Sequence, residues 1–134
     1  MARIIKSILT GIDVTSLGEV ANTDTLDGVL APTITTLTDG ATITPNFHES
    51  CNFTITLGGN RTLANPSSLT AGQSGSIFII QDGTGSRTLA YGSSYDFISG
   101  AAPTLSTASN SVDRIDYIVR TTSNVHCVFT SLYS

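Results

Sequence analysis

Apolar and polar residues alternate most cleanly in residues 51–57, where Cys51, Phe53, Ile55 and Leu57 are separated by Asn52, Thr54 and Thr56. Successive side chains of a strand point to opposite faces, so this run predicts a strand with one buried and one wet face. A turn at Gly58 and Gly59 follows, then Arg61, Thr62, Leu63 and Ala64. The same order recurs downstream: Ile77 to Ile80, a turn at residues 82–85, then Arg87, Thr88, Leu89 and Ala90. Glycine reaches positive φ at no steric cost, so each copy reads as a β-hairpin whose turn reverses the chain. In the second copy Ile77, Phe78, Ile79 and Ile80 are all apolar. That strand is expected to be buried on both faces or to offer one face to another subunit.

The rest of the chain from Thr33 onward has the same character. Ile34 and Leu37 precede an Asp39–Gly40 turn and the run Ile43 to Phe47, which predicts another hairpin. Tyr95 and Phe97 mark a short strand. In residues 112–120, Ile115, Tyr117 and Val119 share one side, with Arg114, Asp116 and Arg120 mostly on the other. A tight turn at Thr122, Ser123 and Asn124 leads to a last run with Val125, Cys127 and Phe129 on one face. About eight short strands with regular turns predict an all-β domain over residues 33–134, a β-sandwich or jelly roll.

Residues 1–32 differ. Ile4, Ile5, Ile8 and Leu9 have helix-like spacing over too few residues to stand alone. Residues 10–32 show no sustained period, and they read as an extended arm with a single helical turn near Val20, ended by Pro32. The arm carries exposed aliphatic anchors, Ile4, Ile5, Ile8, Leu9, Val29 and Leu30, and is expected to serve docking or subunit exchange.

Composition sharpens this picture. Of the 134 residues 40% are hydrophobic and only 12% charged, against roughly 25% charged in an average soluble domain. Disorder needs the opposite balance, so the chain is expected to be ordered away from its ends. The formal net charge of −4, with six scattered cations, excludes the basic patch that a nucleic-acid partner requires. No segment approaches the ~20 apolar residues needed to span a bilayer, and the interrupted run at residues 4–12 is no signal peptide. Cys51 and Cys127 both face inward on their strands. A bridge between them is possible, but free buried thiols are the expected state in a cytosolic chain.

Little in the chain carries chemistry. His48 and His126 are the only imidazoles, with no cysteine at ligand spacing from either, and both are expected at polar surface positions. Residues 82–85 lack the further acidic ligands of a calcium loop and the following lysine of a phosphate loop, and read as a turn. Asp113 and Asp116 are three apart on a strand and so face opposite sides, which excludes a carboxylate pair. No metal, cofactor or enzymatic activity is expected. Arg61 and Arg87 occupy equivalent places in the repeat. They cover a hairpin end with their aliphatic stems, or they pair between chains with acids such as Asp82 or Glu49; the first reading is favoured.

Two stretches resemble known proteins. Residues 21–28, ANTDTLDG, resemble the ADTLDG-type motif of tail fibres and related appendages of bacteriophages. Residues 38–66, TDGATITPNFHESCNFTITLGGNRTLANP, with the continuation LTAGQSGSIFIIQDGTGSRTLAYGSSYDF, look like a β-domain of phage structural proteins, with the pattern RTLANP, AGQSG, QDGTG and RTL in order. The resemblance implies a virion component and no activity. A Met-initiated arm precedes the β-domain where a tail fibre would carry long repeats, and this layout is similar to capsid decoration, or cement, proteins.

The expectation is therefore a homotrimeric capsid decoration protein, assembled in the host cytoplasm. It would bind the major capsid protein or other virion proteins on the virion surface. The alternative is a tail-fibre, head-fibre or spike module that binds host surface glycans. The chain has no Trp, so Tyr91, Tyr95 and Tyr117 would have to supply the aromatic faces that sugars stack on.

Overall fold

Thr-rich runs with a strict two-residue period settle into strands, and the order in which these strands pair determines the fold. The computed structural model of the chain describes residues 32–133; residues 1–31, which hold nearly all of the expected arm, lie outside them. The strands are β1 (Ile34–Thr36), β2 (Thr42–Ile43), β3 (Asn52–Leu57), β4 (Arg61–Leu63), β5 (Ser74–Gln81), β6 (Leu89–Tyr91), β7 (Tyr95–Phe97), β8 (Val112–Thr121) and β9 (Asn124–Tyr133). The domain is all-β, as the pattern predicts, and its strands form two sheets. A six-stranded sheet has the order β1-β3-β5-β8-β9-β7 and a three-stranded sheet the order β2-β4-β6.

The first six strands alternate between the two sheets, and neighbours within each sheet run parallel. The pairs β1–β2, β3–β4 and β5–β6 are thus three successive coils of a β-solenoid, each passing once through each sheet. This corrects the hairpin reading of residues 33–47, 51–64 and 77–90. The two runs of each supposed hairpin lie in different sheets and do not pair. A two-residue type I′ reversal needs positive φ at both central residues, and none of Asp39, Gly40, Gly58 and Gly59 has it. These turns carry the chain around a corner.

The internal repeat in the sequence is the coil. Phe53 stands beside Ile77, Ile55 beside Ile79 and Leu57 beside Gln81. In the smaller sheet the copies are offset by two residues, with Arg61 beside Leu89 and Leu63 beside Tyr91. An offset of two leaves every side chain on its original face. Gln81 is a polar residue in an apolar column and is only 1% exposed. Its side-chain amide accepts from the Arg87 N–H (2.8 Å) and donates to the Arg87 carbonyl (2.9 Å), which turns the corner into β6 and satisfies the buried amide.

After the third coil the pattern changes. The β8–β9 hairpin, closed at Thr122–Ser123 as predicted, inserts antiparallel beside β5, and β7 pairs parallel with the far side of β9. Both sheets contribute to one core, with Ile43, Leu63 and Leu89 from the smaller sheet and Phe53, Ile55, Leu57, Ile77, Ile79, Ile115, Val119 and Val125 from the larger. Phe47 stacks between Phe53 and Tyr117, with ring centroids 5.5 and 4.6 Å away. Asp113 is buried as well, and it accepts from Ser106 N, Ser106 Oγ and Leu132 N, tying the loop before β8 to the end of β9.

Candidate interaction face

With its inner face committed to the core, the six-stranded sheet keeps its outer face open. Strand register sets the rows of side chains there. One row runs Ile34, Asn52, Ser76, Asp116 and Val128, and the next Thr36, Thr54, Phe78, Arg114 and Thr130. Ile77 and Ile79 are in the core, whereas Phe78 and Ile80 are half-buried on this outer face. The apolar run of β5 thus has one face in the core and a second, partly exposed face carrying Phe78 and Ile80.

Two charged groups of the face, Arg114 and Asp116, pair with each other. Asp116 accepts from Ser76 Oγ at 2.6 Å and from Arg114 Nε at 3.0 Å, and the Arg114 guanidinium lies 5.0 Å from the centre of the Tyr133 ring. The neighbouring part is apolar and open. Ile118 is 50%, Val128 54% and Ile98 76% exposed, and they border a groove of ≈ 530 Å³ with Asp96 and His126 also in its lining. Asn124 Nδ2 donates to Asp96 Oδ2 at 2.9 Å, and His126 Nε2 stands 4.0 Å from the same oxygen. An apolar patch of this kind suits contact with another protein surface.

Of the residues expected at an assembly interface, Ile4, Ile5, Ile8, Leu9, Val29 and Leu30 lie outside the described residues. Arg61 and Arg87 are within them, each paired inside its own chain. Arg61 holds Asp39 through Nε–Oδ1 and Nη2–Oδ2 contacts of 2.8 and 2.6 Å, and Arg87 holds Asp82 Oδ2 through Nε at 3.1 Å and Nη2 at 2.7 Å. The hydrogen-bonded Arg87 guanidinium, with the Gly85 and Thr84 N–H groups, holds the Asp82 carboxyl down at about 2. The loop is the turn that the sequence indicated, with Asp82 Oδ1 accepting from Thr84 N and Gly85 N.

The remaining chemistry-bearing residues fall where they were expected. His48 lies in an exposed turn and His126 on the outer face of β9, while Asp113 and Asp116 face opposite sides of β8. Cys51 and Cys127 are both free thiols. Burial, with the Asp96 carboxylate nearby, pushes the Cys127 thiol up to about 12, which removes it as a nucleophile at neutral pH. Among the described residues no group of three His, Cys, Asp or Glu could hold a metal ion, and no helix is long and apolar enough to cross a membrane.

Two of the three tyrosines considered for sugar stacking are buried. Tyr95 and Tyr117 are 7% and 5% exposed, with their hydroxyls donating to the Ala64 and Cys51 carbonyls. Tyr91 packs edge-on against Tyr95 and Phe97. The pattern reading missed Ile118, Val128 and Ile98. For two of them a signal was present: Ile118 occupies the parity of Arg114, Asp116 and Arg120, and Val128 that of His126 and Thr130.

The described residues form an all-β domain with an open sheet face on which Ile118 and Val128 are exposed. The family described as "Putative phage tail fibre C-terminal domain" matches residues 43–123, more than half of the 134-residue chain. The chain belongs to that family, and is a tail-fibre-like, virion-associated structural protein of a bacteriophage. Comparison with curated proteins and with solved structures gives no match.

Proposed function

We propose that the domain is a non-enzymatic building block of a phage tail fibre or related appendage on the virion surface, where it assembles with copies of itself. The family match over residues 43–123 carries the fibre placement, and favours it over decoration of the capsid. The open face of β5, β8 and β9 supports self-assembly, with Ile118 and Val128 as its apolar centre. A second copy suits this face because it centres on exposed aliphatic side chains, with Arg114 and Asp116 beside them paired within the chain. The assembly we propose is a homotrimer, with closed symmetry covering the same face on every copy.

Mass spectrometry of purified particles, combined with antibody labelling in electron micrographs, tests the placement. A few copies per particle with label on the tail appendages is the expected result. Many copies with label over the head would overturn it in favour of the capsid-decoration reading.

A further inference from the structure

The outer face of β7, β8 and β9 carries the charged side chains Asp96, Arg114, Asp116 and Arg120, with His126 as a further titratable group. Arg114 and Asp116 pair with each other at 2.8 Å. The other two have no such partner. Arg120 is exposed, and among the described residues no carboxylate stands within ion-pair reach of it. The Asp96 side chain is 45% exposed. It accepts from the Asn124 amide at 2.9 Å, has His126 Nε2 at 4.0 Å, and pairs with no arginine of the described residues.

Strand order keeps these two opposite charges from meeting within one domain. β9 lies between β8 and β7, and neighbouring strands are about 4.8 Å apart, so Arg120 and Asp96 start from backbones separated by roughly 10 Å. Ile118 stands in one cross-strand row with His126 and Asp96, and Arg120 follows two residues along β8 on the same side. A cation and an anion, each without an ionic partner of fixed charge in the described residues, therefore both border the apolar patch of Ile118 and Val128.

A second protein that covers this patch takes both charges out of water, which is costly unless each meets a counter-charge. A partner surface of one sign would answer one of them and repel the other. Another copy of this face brings one charge of each sign, at the same places beside the same aliphatic centre. Symmetric assembly presents that face to its own kind.

We propose that Arg120 of one copy pairs with Asp96 of the next across the self-assembly face, fixing the register in which the copies dock. This rests on the self-assembly proposed above, and it adds the residues that make the contact selective for this chain.

Sedimentation of the full-length wild type beside Arg120→Asp, Asp96→Arg and the two exchanges combined in one chain tests the pairing, with circular dichroism confirming that each variant is folded. Each single reversal sets like charges together and should weaken association roughly tenfold or more. The combined exchange should restore most of the lost association. Arg120→Ala and Asp96→Asn, which introduce no repulsion, provide a second readout: their double variant should associate no more weakly than the weaker single one. Single reversals that associate like the wild type would overturn the pairing and leave self-assembly standing, and so would a combined exchange no better than the single ones, or additive effects of the neutral pair. A wild type that does not associate at all would remove self-assembly itself, and the pairing with it.

Discussion

Arg61 in the second coil reaches back to Asp39 in the first and joins both carboxylate oxygens, through Nε at 2.8 Å and Nη2 at 2.6 Å. The same corner carries the Arg61 N–H bond to the Thr88 carbonyl and the Thr62 N–H bond to the Ala41 carbonyl, so three coils meet there. The ion pair fixes how one coil stacks on the next, and a bidentate guanidinium is the group suited to that. Arg61→Ala and Asp39→Ala should each lower the melting temperature slightly, and the double variant should be no worse than the worse single one. Thermal denaturation at low and high salt checks this: the coupling should shrink as salt rises, because the pair is near the surface. Strictly additive effects of the two substitutions would show that the pair contributes nothing.

Acid should weaken the third corner. The folded Asp82 carboxyl is held below its ordinary 3.8, at about 2, so the unfolded chain binds this proton more readily than the folded one. The stabilisation is therefore complete above the ordinary value and is lost as pH falls from 3.8 toward 2. Urea midpoints measured across that window should fall with pH in the wild type and fall less steeply in Asp82→Asn. Equal slopes would remove Asp82 from the account.

Gly75 tests how closely the coils approach. A methyl group there would run into the Cys51 carbonyl, which also accepts the Tyr117 hydroxyl at 2.6 Å. Gly75→Ala should cost about 1–3 kcal/mol or more, as overpacking does. Tyr117→Phe should cost about 1 kcal/mol through the lost hydrogen bond. Urea unfolding measures both, and a neutral Gly75→Ala would mean that β5 can shift away from the carbonyl.

The inward faces of the strands were legible because a period of two depends only on local geometry. Phe53, Ile55, Leu57, Ile115, Tyr117, Val119, Val125 and Cys127 are all core residues or columns predicted as such. Pairing was not legible, except at the β8–β9 hairpin with its short Thr122–Ser123 connection. Gly58–Gly59 and Asp39–Gly40 have the composition of reversals, but the backbone angles that distinguish a reversal from a corner are set by stacking on the next coil. The repeat itself was visible, yet two hairpins and two stacked coils write the same repeat. Arg61 was singled out while its partner Asp39 was not, since the two become neighbours only once the coils are stacked. The outer face was half legible: the apolar β5 run pointed to it, and Ile118 and Val128 completed it only when strand order brought β8 and β9 beside β5.

Self-assembly through that outer face is the central claim, and sedimentation of the wild type beside an Ile118→Asp, Val128→Asp double variant tests it most directly. The two side chains are 50% and 54% exposed, so the variant should keep the wild-type circular dichroism, with its melting lowered slightly by the carboxylate that Val128→Asp sets opposite Asp116. The wild type should sediment at three times the 14.0 kDa chain mass, and the variant at 14.0 kDa. A wild type that remains a 14.0 kDa monomer as concentration is raised, or a variant that keeps the wild-type mass, would contradict the claim.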